Sequence, residues 1–294
     1  GYGAFAECPQ LGKFNSTTEG KLVVPENVRQ LRGFVFEGAA FTDIDFGIKI
    51  TKIWNNAFAY CRKLQALNIP NNVEEVGFEA FENCTGLKSV NLSESLEILK
   101  INTFKDCANL ESIVLPKLLK EIGSGVFQNC TNLKFIALPE SIELIEKMAF
   151  QGCTALAEVC IPRQLDFVNM DVFRGCTGLK KLVFENRGGK GDKKNLKIET
   201  GAFADCTGIE NLVIPEFVTS LGNGAFENVN LNKVYYDGSR AAYAKLKANS
   251  SANNNFFNAD TYFYSANKPF SGTNYWRYDS EGNPEIWKEV QVVD

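Results

Sequence analysis

Cysteine is the side chain of this 294-residue chain best equipped for chemistry, and the spacing of its nine copies argues against that use. Cys8, Cys61, Cys84, Cys107, Cys130, Cys153, Cys176 and Cys206 each stand three residues after a phenylalanine, and only Cys160 lies elsewhere. The chain has no histidine. The commonest general base, the usual neutral metal ligand and the Ser-His and Cys-His nucleophile pairings are therefore missing. There is no C-x-x-C pair, and one thiol per repeat cannot gather into a tetrahedral zinc site. Two acid pairs, Glu74 with Glu75 and Asp166 with Asp171, have the side chains of a general acid and base, but no apolar cleft marks either pair. The glycines around Lys190 superficially suggest a phosphate cradle, yet the G-x-x-x-x-G-K-[ST] spacing and its strand-to-helix setting are both absent. No cofactor and no metal are implied, and the chain is expected not to be an enzyme.

Composition narrows the partners. With 31 basic and 35 acidic side chains the net charge is -4, and 45% of residues are apolar. Such a chain forms a core and offers neither a basic field for nucleic acid nor a polycationic face for an anionic membrane. No stretch reaches the roughly 18 to 20 apolar residues of a membrane-spanning helix. The first 25 residues also lack the layout of a signal peptide. Because the chain starts at Gly1-Tyr2-Gly3, just before a repeat phenylalanine, any signal or anchor is expected to have lain upstream.

The elements that carry these residues are repeats. Phe58, Phe81, Phe104, Phe127, Phe150 and Phe173 follow one another at 23-residue steps, Phe203 follows after 30 and Phe226 after 23, with Phe36 and Phe5 ahead of them. One unit reads Leu110-Glu111-Ser112-Ile113-Val114-Leu115-Pro116, then Leu119 and Ile122, then Val126-Phe127-Gln128-Asn129-Cys130. The segment around Ile113-Val114-Leu115 alternates and ends at proline, which predicts a strand of about three to five residues. The stretch around Phe127 predicts a helical or 3-10 turn on the outer side. One unit cannot bury its Leu, Ile, Phe and Cys alone, so units must stack and each consensus position must form a ladder. At a strand spacing of about 4.8 Å, roughly ten coils give a body about 50 Å long.

These residues resemble the bacterial BspA-type leucine-rich repeat family, whose unit is L-x-x-L-x-[IL]-P-x-x-[VL]-x-x-I-x-x-x-A-F-x-x-C-x-x. The match covers about 230 residues and implies an α/β, β-rich solenoid with a parallel concave sheet. The aromatic tail, from Val234-Tyr235-Tyr236 to Tyr275-Trp276 and Trp287, looks like the closing segment often found in the family. The resemblance further implies a secreted or cell-surface protein, in a family with members linked to adhesion to host extracellular proteins.

The chain is expected to divide into a solenoid, residues 1–237, and a C-terminal capping segment, residues 238–294. Two insertions interrupt the period: a polar excursion at Asn15 to Gly20 and a glycine- and lysine-rich loop at Glu185 to Lys194, the latter expected to be solvated. The unit of Phe36 is degenerate, with Ala39 in the cysteine place. After Gly238 a Ser-capped short helix is expected over Ser239 to Leu246. Tyr262 to Trp287 reads as an aromatic end cap. The functional alternative for that tail is a sugar platform on Tyr275, Trp276 and Trp287.

Ladder cysteines on adjacent coils stand within disulfide reach, but parallel side chains point to the core and not to one another. Reduced, buried thiols are expected. Strand alternation sends two tracks of side chains outward. The third-position track carries Phe135, Glu158, Lys181, Asn211 and Lys233. The fifth-position track turns apolar at Val114 and continues through Ala137, Cys160, Val183 and Val213 to Tyr235. Exposed adjacent apolar residues with charged margins of both signs suit a protein partner. These eleven residues form the expected partner-binding face, for an extracellular or host protein, with a glycan as the alternative. The expected chain is a monomer outside or on the cell.

Overall fold

The computed structural model describes residues 20–185, 195–248, 250, 252–267, 269 and 274–287. Phe5, Cys8, most of the Asn15 to Gly20 excursion and nearly all of the Glu185 to Lys194 loop lie outside them.

Every described coil but that of Phe135 begins with the expected strand, and the strands pair in parallel. Ala66–Asn68, Ser89–Asn91 and Ser112–Val114 form one run. Glu158–Ile161 pairs with Lys181–Phe184, and Asn211–Pro215 with Lys233–Asp237. In the coil of Phe135 the first-ladder strand is missing, and Phe135 alone bridges to Glu158. Leu67, Val90, Ile113, Val159, Leu182 and Leu212, at the fourth position, are buried, and the residues on either side of them form the outward tracks.

A second parallel ladder, not anticipated from the repeat, runs at the x-I positions that precede the phenylalanine corner. Glu75–Val76 pairs with Lys52–Ile53, Glu121–Ile122 pairs with both Ile98–Leu99 and Leu144–Ile145, and Leu196–Ile198 lies between Phe167–Val168 and Val218–Leu221. Its strands are mostly two residues long, with one residue buried, so they leave no alternation to detect.

The corner at the repeat phenylalanine is not helical. It is a run of turns held by two kinds of bond: Cys130 N–H donates to Phe127 O at 3.1 Å within the coil, and Phe127 N–H donates to Ala149 O of the next coil at 2.8 Å. The helix is prevented by two residues per coil with positive φ, two places before and two places after the phenylalanine. Gly125 (φ 63) and Asn129 (φ 59) flank Phe127, and Asn102 (φ 56) and Asp106 (φ 59) flank Phe104. Left-handed backbone favours Gly, Asn and Asp, which occupy most of these sites.

Inside the corners the phenylalanines stack from Phe36 to Phe256 with ring centroids 5.3 to 5.9 Å apart. Beside them each described ladder thiol donates to the carbonyl of the preceding coil's phenylalanine, as Cys130 Sγ does to Phe104 O at 3.3 Å. All these thiols are free, as expected from their parallel orientation. Cys206 reaches Phe173 O at 3.1 Å, although the 30-residue unit lies between them. The insertion therefore leaves the ladder unbroken. In the degenerate early coil, where Ala39 replaces cysteine, Phe41 and Phe46 pack edge-on against Phe58.

The sheet continues past residue 237, where the division is expected. Asp260–Tyr264 pairs in parallel with Lys233–Asp237, and Tyr275–Tyr278 pairs in parallel with Asp260–Tyr264. The antiparallel strand Pro284–Ile286 then closes the edge. The expected helix is present as Arg240–Ala248, with Ala242 N–H donating to the Ser239 hydroxyl at 3.1 Å. It packs on Val218–Leu221, the last strand of the second ladder. The short helix Asn254–Phe257 places Phe256 on Phe226. Asn253, before it, supplies a side-chain oxygen to Phe226 N–H at 3.2 Å, in the place where another coil's carbonyl would stand.

Candidate functional site

The two outward tracks are where the sequence placed them, and they differ along their length. At the amino-terminal side the face is small and polar: Ala66, Ser89, Ser112, Asn68 and Asn91 are all exposed. At the interrupted coil it becomes apolar. Val114 is 67% exposed and Phe135 is 59% exposed, and Ala137 lies open beside them. Large apolar side chains held this far into water on neighbouring coils gain nothing from the core, which makes them the informative residues of the face.

Cross-coil ion pairs border the apolar residues. Lys134 Nζ lies 3.0 Å from a Glu111 carboxylate oxygen, and Lys181 Nζ lies 2.7 Å from Glu158. Hydrogen bonding from Lys134 holds the Glu111 carboxyl below its ordinary range. Both pairs are well exposed, so they fix the sign pattern of the margin more than they stabilise the fold.

Cys160, Val183 and Val213 continue the apolar track but are only half-exposed. Burial raises the Cys160 thiol pKa, and the nearby carboxylates of Glu185 and Glu158 raise it further. The thiol is thus kept protonated, the opposite of an activated nucleophile. Lys181 and Asn211 are exposed and Lys233 is half-buried.

Tyr235 departs from expectation. It is 7% exposed, because its ring is covered by Tyr262, with centroids 5.8 Å apart, and by the edge of Trp276 at 5.5 Å. It is the end wall of the face and not part of its open surface. The chain folds back at this wall. Tyr278, Gly282, Asn283 and Pro284 stand over Val183 and Val213 and enclose with them a cavity of about 300 Å³, with Lys180, Lys181 and Asn211 also in its lining. The repeat pattern held no signal for this feature, since its roof comes from residues after the last repeat.

Of the alternative sugar platform, Trp276 cannot offer its face. Trp276 is 0% exposed, with its indole N–H donated to Tyr236 O at 3.1 Å. The guanidinium of Arg277 lies 4.3 Å from the ring centre of Trp287, and that of Arg240 lies 5.3 Å from Tyr275. Among the described residues no group of three His, Cys, Asp or Glu side chains could hold a metal, and no helix is long and apolar enough to cross a membrane.

The sequence profile described as BspA type leucine rich repeat region matches residues 1–110, 97–190 and 189–258, with six copies. The chain belongs to the BspA-type leucine-rich repeat family. Two solved leucine-rich repeat proteins show how far the likeness extends. The T. pallidum protein is 26% identical, with 65% of this chain and 78% of that chain covered and a TM-score of 0.52. The protein from Bacteroides ovatus is 27% identical, with 74% of this chain covered and a TM-score of 0.55, and this chain spans 57% of that one. No curated protein matches the sequence. In a BspA-type solenoid the ladders are the shared part, so any specificity of this chain must be sought on its outward tracks and at its closing end.

Proposed function

We propose that this protein is a non-enzymatic binding module, secreted or on the cell surface, that holds another protein on the first sheet face, centred on Val114 and Phe135. The observation that carries the reading is the exposure of these two side chains on neighbouring coils, where the strand ladder is interrupted, between ion pairs of both signs. Aromatic and branched anchors inside a charged margin are the residues from which protein interfaces draw most of their affinity. Membership in the BspA-type family supports the same reading, since the resemblance implies surface proteins and adhesion. The lack of histidine and the protonated state of Cys160 speak against catalysis.

The test is binding of the purified chain to immobilised extracellular-matrix proteins, plasma proteins and glycans, beside a Phe135→Glu, Val114→Glu double variant. Saturable binding to a protein, lost in the variant while its melting temperature is kept, is the expected result. Silence across the panel, or binding indifferent to the variant, overturns it.

A further inference from the structure

The cavity at the closing end has a lining that selects for charge. Its floor is aliphatic, from Val183, Leu182, Val213 and Leu212, and its ionisable lining consists of Lys180, Lys181 and two tyrosines, with no carboxylate. Lys181 is already paired with Glu158, whereas Lys180 has no carboxylate within 4.0 Å among the described residues. At about 300 Å³ the space stands at the lower end of small-ligand sites, enough for one side chain and its terminal group. Its two ends differ. Toward the cap it is shut by Tyr235, itself covered by Tyr262 and Trp276. In the other direction the apolar track runs on, from Val183 to its sheet partner Cys160 and then to Ala137 and Val114. A pocket blocked at one end and continuous with an apolar track at the other suits the terminus of an extended chain better than its middle.

We propose that this pocket receives the C-terminal residue of a partner polypeptide, with an apolar last side chain against Val183 and Val213, its α-carboxylate beside Lys180 and the preceding residues along the track toward Val114. The proposal deepens the reading of this face as a protein-binding surface and adds to it a recognised chemical group. The carboxylate is drawn by a cation without a competing partner, and the apolar side chain removes the valines from water. An internal segment, an amidated end or a polar last residue lacks one of the two features.

The probes are N-terminally fluorescein-labelled peptides of about four residues ending in Leu or Phe, read by anisotropy. Free-carboxylate peptides are expected to bind saturably. Their C-terminal amides, and peptides ending in Lys, are expected to bind about tenfold or more weakly. Lys180→Glu, a change at an exposed position, is expected to cause a similar loss with the melting temperature kept. Equal binding of acid and amide, or indifference to Lys180→Glu, overturns the proposal. So does binding of free hexanoate or phenylacetate with no binding of peptides. If no peptide binds while a protein from the panel is still lost by Phe135→Glu, the pocket proposal fails and the central-face reading stands. If peptides bind and the panel is silent, the pocket stands and the central-face reading fails.

Discussion

Phe127 and Cys160 represent the two fates a side chain has in this molecule. Phe127 is fully buried between Phe104 and Phe150, at 5.9 and 5.3 Å. Phe127→Ala would open a cavity with rigid neighbours above and below, so a loss of about 3 to 5 kcal/mol in denaturant unfolding is expected. A variant that unfolds with its parent would show that the stack does not bear on stability. Cys160 sits where water reaches it, yet burial and the carboxylates of Glu185 and Glu158 favour its neutral form. Its labelling by a thiolate-seeking reagent should be slow at neutral pH and quicken as pH rises. Glu185→Gln should speed it. In the native protein, peptide mapping should find the label at Cys160 before any of the ladder cysteines from Cys61 to Cys206, whose thiols are sealed in the core. Burial pushes Cys153 up to about 12. Simultaneous labelling of the ladder would contradict that burial.

The elements show which parts of the fold a repeat can announce. The first-ladder strands and the phenylalanine corners were legible because Leu, Ile, Pro, Phe and Cys recur at fixed places. The second ladder was not, because two-residue strands such as Glu121–Ile122 are too short for a period. The corner's true conformation was signalled, though unread, by the run Asn83, Asp106, Asn129, Gly152, Gly175, Asp205 and Asn228, each two places after its phenylalanine and each left-handed. The cap was legible only as composition. Aromatic density pointed to a lid, but nothing in the sequence distinguishes a tyrosine on the open face from Tyr235 under Trp276. Nor could it single out Asn253, whose amide completes bonds that a further coil would have made: oxygen to Phe226 N–H, nitrogen to Gly222 O at 2.8 Å. Asn253→Ala should leave buried backbone groups unpaired and cost about 1 to 3 kcal/mol. Hydrogen exchange at Phe226 N–H should accelerate first, ahead of the central coils. Uniform acceleration along the chain would deny the cap a local role.

At the scale of the whole molecule, stability is passed from coil to coil, since each coil contacts mainly its neighbours. One residue ties three coils on the second-ladder face. The Glu75 carboxylate lies 2.5 Å from Lys52 Nζ and is also bonded to Lys100 Nζ. Burial alone would raise its pKa, but bonds from Lys100 and Lys52 outweigh this and lower it. A carboxyl held low in the folded state contributes stability that is present above its unfolded pKa and is lost as pH falls through the folded value. Glu75→Gln should therefore lower the melting temperature at neutral pH, and the gap from the parent should close as pH falls below the carboxylate range. A gap that persists at low pH would mean that the side chain acts by packing and not by charge.

The thiol ladder has a consequence for the history of a molecule. While the solenoid is wound, each ladder sulfur is spoken for by the carbonyl of the coil before it, and an oxidant outside finds little to act on. Once the coils part, the same sulfurs lie at regular intervals on one loose thread, free to cross-link in combinations that no wound state can accommodate. Unfolding in air then acts as a ratchet: the first excursion is paid back only if reductant arrives before the cross-links do.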